Sequence, residues 1–306
     1  MEKEERFWTN PVWRALMALL CCLLWGSAFP FIKIGYRLFA IASADTFSQI
    51  LFAGFRFTLA GILTVIIGSI TAKNMLMPKK ENWNKVLVLC LFQTILQYTF
   101  FYIGLANTTG VKSSIIEATS TFAAIILSAL VFRMEKLSMN KILGCVIGFA
   151  GVVLVNLSGA EGERFSFSFF GEGMILLSTL SYAASTVLGK RYSKYENPVT
   201  LSGYQFIIGG LLMVLAGVIG EGKLPVITVP GILVLLWLAV VSAAAYSFWT
   251  ILLKYNPVSS VTVYGFSTPV FGVLLSTLLL GESTTGSIST IIALVLVSLG
   301  IYIVNK

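Results

Sequence analysis

The chain has 306 residues, 57% of them hydrophobic and 11% charged, with a mean hydropathy of +0.90 and a formal net charge of +8. Soluble domains carry about 25% charged residues, so this composition excludes an ordinary soluble protein and points to a polytopic membrane protein. The positive charge does not indicate a nucleic-acid partner, because the basic residues are scattered in short loops and form no stripe or binding motif.

The N-terminus, MEKEERFWTNPVWR, is mixed in charge and runs into a long apolar stretch without a clear small-residue cleavage site. It reads as a retained first helix rather than a signal peptide. Crossing a bilayer takes about 20 mainly apolar residues. That rule places ten spans, at 14–34, 46–69, 84–106, 112–132, 139–157, 170–189, 198–219, 230–252, 258–280 and 287–304. Pro78, the Gly159/Gly162 loop, Pro198, Pro225, Pro230 and Pro257 punctuate the connections. Fifteen Lys and Arg residues fall on the side of the N-terminus and five on the other, with Arg56 left inside a span. The positive-inside rule therefore puts both termini in the cytoplasm. The expected location is the cell membrane of a bacterium, with multiple passes.

The first five spans resemble the last five. LLWGSAFPFIK (23–33) aligns with LSYAASTVLGK (180–190), which pairs Trp25 with Tyr182. FRFTLAGIL (55–63) aligns with YQFIIGGLL (204–212), which pairs Arg56 with Gln205. YTFFYIGLANTTGVKSS (98–114) aligns with YSFWTILLKYNPVSSVT (246–262). FRMEKLS (132–138) ends span 4 much as LGESTT (280–285) ends span 9. An odd number of spans per half sends the second half through the membrane in the opposite sense. The expected fold is thus an all-α membrane protein of two inverted-topology five-helix repeats, residues 1–157 and 158–306, forming one transporter domain.

The chemistry available is narrow. Histidine is absent, and Asp45 is the only aspartate. That excludes a His-dependent triad and His-ligated zinc. With no Walker A loop and no GxSxG, neither an ATP-driven pump nor a hydrolase is expected. Cys21, Cys22, Cys90 and Cys145 all lie in apolar runs and read as small buried residues. No enzyme activity, cofactor or metal is expected.

The order of WGSAFPFIK, FRFTLAG, TPVFGVLLSTLLLGE (268–282) and LVLVSLGIYIVNK resembles the drug/metabolite transporter superfamily, and within it the ten-helix EamA family. The resemblance covers nearly the whole chain. It implies a central cavity lined by helices 1–4 and 6–9, and export of small metabolites, often amino acids, or of toxic compounds. The proline usual in the family's fourth helix is Thr121 here, while Pro269 keeps it in the ninth.

Several residues are candidates for transport. Glu117 is the only acid well inside an apolar span, about 7–8 Å from Lys112 along the helix axis. It reads as a binding or proton-coupling carboxylate, against an interfacial Glu or one held by a structural Arg. Arg56 lies near mid-depth of span 2 and keeps its charge. It could pair with Glu117, hold a substrate carboxylate through its fork, or brace helix-end carbonyls. Gln93 and Gln97 share a helix face, and Gln97 reads as a cavity residue, as does Gln205, the mate of Arg56. Trp25, Tyr98, Tyr182, Tyr246, Trp249 and Tyr264 could stack on a ring or face a cation, or simply pack. Pro30 and Pro269 are candidate bending points for gating. The run GCVIGFAG (144–151) suits close internal helix contact better than a dimer face, so a monomer is expected. The reading is a secondary transporter exporting a small metabolite by alternating access. Its rivals are a proton-coupled exporter of drugs or organic cations and a passive facilitator. The partners would be a small-molecule substrate, the bilayer and, for the proton-coupled reading, protons.

Overall fold

The structure, a computed structural model, describes residues 2–42, 44–108, 113, 116–157, 167–280 and 287–306. Among these residues the chain is helical, with no strand. A short helix, α1 (Glu2–Thr9), precedes α2 (Pro11–Leu38) and α3 (Thr46–Ala72). Next come α4 (Trp83–Leu89, Cys90–Leu96 and Gln97–Ala106), α5 (Ser120–Ile126 and Leu127–Val131) and α6 (Met139–Leu157). They are followed by α7 (Phe169–Gly173 and Met174–Tyr192), α8 (Pro198–Ile219) and α9 (Val229–Tyr255). The last are α10 (Val258–Thr262, Val263–Phe266 and Ser267–Leu280) and α11 (Ser287–Asn305).

Among the described residues, six helical stretches are long and apolar enough to cross a membrane: Pro11–Leu38, Thr46–Ala72, Lys80–Leu105, Pro198–Ile219, Val229–Tyr255 and Val258–Leu280. Ile116–Val131, Met139–Leu154 and Ile291–Asn305 are apolar but shorter. Large apolar side chains such as Ile67, Ile70, Leu215, Val218, Ile291 and Val295 point outward, while Arg56, Gln93 and Gln205 are buried. That arrangement inverts a soluble protein and suits a lipid surround.

The helix starts are written in the sequence. Asn10 and Asn197 each accept two backbone N–H bonds at the head of α2 and α8, and each is followed by a proline at the first helical position. Proline costs nothing there, because its missing N–H would have had no helical partner. Asp45 caps α3 by accepting from Ser48, and Thr228 caps α9 by accepting from the N–H of Gly231.

Side-chain and backbone bonds sort the connections into two ends. At one end Asn82 and the Lys79 N–H bond Glu196, Glu135 bonds Ser259, and Arg14 bonds Asn305. At the other, Lys223 N–H bonds Ser48, Val226 N–H bonds the Phe39 carbonyl, and Thr108 bonds Glu172. Residues near both termini therefore share one end of the bundle.

Two helix pairs approach almost backbone to backbone. A Cβ placed on Gly54 would lie 2.6 Å from Val214 N and 3.0 Å from Gly210 O, and one on Gly61 would lie 2.6 Å from Gly203 O. In the sequence alignment Gly54 is the mate of Gly203, and Gly61 of Gly210. The α3–α8 crossing is thus built twice from the same pair of positions. In the α6–α11 crossing, Gly144 meets Gly300 and Gly151 meets Ala293. The small-residue run of α6 is spent on this internal contact. Lipid tails are as apolar as leucine, so such close packing drives association where hydrophobicity cannot.

This packing predicts an asymmetry between glycines. On Gly210 a Cβ would meet the Thr58 N–H nitrogen at 2.4 Å, whereas on Gly189 the nearest atom is Thr250 Cγ2 at 3.9 Å. Gly210→Ala is expected to destabilise by about 1–3 kcal/mol. Gly189→Ala should be neutral or stabilising by up to about 1 kcal/mol. Melting of the two variants in the same detergent checks this; equal melting would mean that α3 and α8 are not in backbone contact.

Candidate functional site

The helices surround a cavity of about 190 Å³. Trp25, Phe29 and Ile32 of α2, Arg56 of α3, and Gln97, Tyr98 and Phe101 of α4 contribute to its wall. Glu117 at the head of α5, Ser178, Thr179 and Tyr182 of α7, Tyr246 of α9, and Gly265, Thr268 and Pro269 of α10 complete most of the rest. Every helix of the expected set except α8 contributes.

Eight of the thirteen candidate residues named from sequence line this one space: Trp25, Arg56, Gln97, Tyr98, Glu117, Tyr182, Tyr246 and Pro269. Gln205 does not. It is fully buried one layer out, where its carbonyl oxygen accepts from the Thr94 hydroxyl between α8 and α4. Pro30 is buried in α2 away from the cavity wall, on the turn between Phe29 and Ile32 that face it. Gln93 is also buried outside the wall, as are Trp249 and Tyr264. Thr121, which stands where the family places proline, donates to the Thr262 carbonyl at 3.1 Å and so ties α5 to α10.

Arg56 is only 4% exposed, and its Nε donates to the Ser242 hydroxyl at 3.0 Å. Its guanidinium carbon lies 5.1 Å from the centre of the Phe57 ring. Tyr36, Tyr98, Tyr102 and Tyr246 lie within its electrostatic reach. Among the described residues no hydrogen bond occupies its two terminal nitrogens, and it forms no ion pair with Glu117. Glu117 is half-buried and faces the same space. A guanidinium and a carboxyl group therefore share one small cavity with no ion pair between them.

Aromatic residues form much of the cavity wall. The Tyr98 and Tyr246 hydroxyls are 2.9 Å apart. Trp25 packs edge-on against Tyr182, Tyr246 and Trp249, at 6.4, 5.1 and 4.9 Å between ring centres. Tyr98 and Tyr246 are mates in the sequence alignment, and so are Trp25 and Tyr182. In both pairs the mates touch each other.

Below these rings the bundle is closed by polar ties. Cys22 donates to the Tyr264 carbonyl at 3.1 Å and Cys21 to the Ala245 carbonyl at 3.4 Å. Lys190 donates to the carbonyls of Leu253 and Asn256 at the end of α9. Asn256 in turn donates to the Trp8 carbonyl and accepts from Arg14. Glu135, between α5 and α6, accepts from Lys141 at 2.7 Å and from both the N–H and hydroxyl of Ser259 at the head of α10.

Sequence reasoning missed Phe29, Phe101, Ser178, Thr179 and Thr268. Helical spacing could have found some of them. Phe29 is one turn from Trp25, Phe101 one turn from Gln97, and Ser178 one turn from Tyr182.

The cavity between apolar helices thus brings together a buried cation and a half-buried carboxyl group. The family model of EamA-like transporters matches residues 12–157 and again 169–306. The chain belongs to the EamA-like transporter family. It is similar to an uncharacterized transporter of Archaeoglobus fulgidus, at 29% identity over 87% of this chain and 89% of that one. It is also similar to the uncharacterized transporter YvbV of Bacillus subtilis, at 26% identity over 95% and 91% of the two chains. The uncharacterized inner membrane transporter YedA of Escherichia coli strain K12 is 28% identical, over 96% and 92%. One solved crystal structure shares the fold with a TM-score of 0.75, at 19% identity over 95% of this chain and 98% of that chain. This EamA-like chain is accordingly a multi-pass membrane protein of the transporter type.

The polar closure generates a pH dependence. Burial alone would raise the Glu135 carboxyl, but the bonds from Lys141 and Ser259 outweigh it and hold the group below the ordinary glutamate range. A carboxylate whose folded value lies below its unfolded one stabilises the fold above about pH 4.3, and that contribution is lost as pH falls through the folded value. Glu135→Gln should therefore melt below wild type at pH 7, and the gap should narrow as pH is lowered from about 5 to 3. A gap that stays constant across this range would mean that the charge on Glu135 does not hold the closure.

Proposed function

We propose that this EamA-like chain is a secondary transporter that exports a small zwitterionic metabolite, such as an amino acid, by alternating access. In this reading ten spans form two inverted five-helix repeats, 1–157 and 158–306, with both termini in the cytoplasm. The two matches of the family model and the mated glycines of the α3–α8 crossing support the repeat. The internal use of the α6 glycines supports a monomer.

The observation that carries the substrate class is a pair of ionisable groups of opposite sign with no ion pair to either among the described residues. Arg56 and Glu117 line one cavity yet do not bond each other. A ligand carboxylate would answer the first and a ligand ammonium the second. The cavity volume of about 190 Å³ lies below the ~300–1,000 Å³ typical of drug-sized ligands. That favours a small metabolite over a bulky drug.

A second reading has its own support. Glu117 has no cationic partner among the described residues, which suits exchange of an organic cation for a proton at that carboxylate. The two readings part on Arg56. Thermal stabilisation of purified protein by a panel of L-amino acids, nucleobases and organic cations, with wild type, Arg56→Gln and Glu117→Gln, separates them. The zwitterion reading expects amino-acid stabilisation that drops at least tenfold in apparent affinity in each variant. Loss in Glu117→Gln alone, for cations alone, favours proton exchange. Stabilisation that survives both substitutions would remove the charges from the site.

A further inference from the structure

We infer that Ser242 is a positioning residue for the carboxylate-binding edge of Arg56; this rests on the reading of Arg56 and Glu117 as the two poles of the site. A guanidinium presents five N–H donors on three nitrogens in a rigid plane. It can bind a carboxylate along its side, through Nε and one terminal nitrogen, or end-on, through both terminal nitrogens. Here Nε is already spent on the Ser242 hydroxyl at 3.0 Å. Ser242 is fully buried on α9, and Arg56 is 4% exposed. The Phe57 ring, 5.1 Å away, lies against the guanidinium. With Nε held and the plane restrained, the end-on edge is the one left for a ligand, and among the described residues nothing bonds it. Arg56 belongs to the cavity wall, while Ser242 stands behind it, outside the wall.

This assigns a specificity role to a residue that need not touch substrate. Serine suits the task because its hydroxyl is a short acceptor with little freedom. Alanine would release Nε, let the guanidinium plane rotate, and leave a buried donor unpaired. Because Ser242 belongs to α9 and Arg56 to α3, the same bond ties the anion edge to a helix of the opposite repeat.

The test compares wild type, Ser242→Ala, Ser242→Thr and Arg56→Gln. Each is measured for thermal stabilisation by the L-amino acids and by their carboxamides, which keep the ammonium and lack the carboxylate. Ser242→Ala should weaken carboxylate ligands about tenfold and leave the carboxamides unchanged, while melting of the empty protein falls because a buried donor is left unpaired. Ser242→Thr, which keeps the hydroxyl, should restore carboxylate binding toward wild type. If Ser242→Ala binds carboxylates as wild type does, or weakens both ligand series equally, Ser242 is only a helix contact and the inference is overturned. If Arg56→Gln retains carboxylate binding, or no amino acid stabilises wild type, the underlying reading fails and the role of Ser242 falls with it.

Discussion

A guanidinium that cannot give up its proton is buried in the middle of an apolar bundle, and the arrangement around it follows from that constraint. Taking a charge out of water costs several kcal/mol unless polar groups replace the solvent. Arg56 meets this with a hydroxyl from α9 and the face of Phe57, in a cavity wall that also holds tyrosines of α4, α7 and α9. Those groups can come together only if α3, α4, α7 and α9 converge at one level. The cavity lies at that level, so the demand for solvation and the space for a ligand share one location.

Convergence of this kind needs helices that come close elsewhere. The glycines of α3 and α8 and those of α6 and α11 supply it, by letting backbones meet where side chains would hold them apart. The buried cysteines serve the same end on a smaller scale. Cys22 bonds the Tyr264 carbonyl where α10 changes its winding ahead of Pro269, and Cys21 bonds a carbonyl of α9. A thiol is small enough to fit such a contact and adds a weak donor to a helix carbonyl. At the end that carries the termini, Glu135 and Asn256 link helix ends across the two halves, and Lys190 joins α7 to the end of α9.

Much of this was legible in the residues. Apolar runs mark helices because a chain in lipid must satisfy its own backbone bonds, and a helix is described within each predicted stretch. Arg56, Glu117 and Gln97 stood out because a charged or amide group in hydrocarbon needs a polar neighbour, and all three face the cavity. Gln205 was misread for a physical reason. Repeat symmetry carries over the position of a backbone, but a shorter amide bonded to Thr94 has neither the reach nor the need to follow its arginine mate. The hydroxyls of Ser178, Thr179, Thr268 and Ser242 gave no signal. Serine and threonine can bond the preceding turn of their own helix, so they are cheap in any span and mark nothing by their presence.

The contacts between aligned mates carry a geometric consequence. Any motion that exchanges the shapes of the two halves also exchanges every contact with its image. The image of the Tyr98–Tyr246 contact is the same contact, and so is that of Trp25 against Tyr182. On the proposed alternating-access reading, contacts between mates are unchanged by the exchange and act as its pivot.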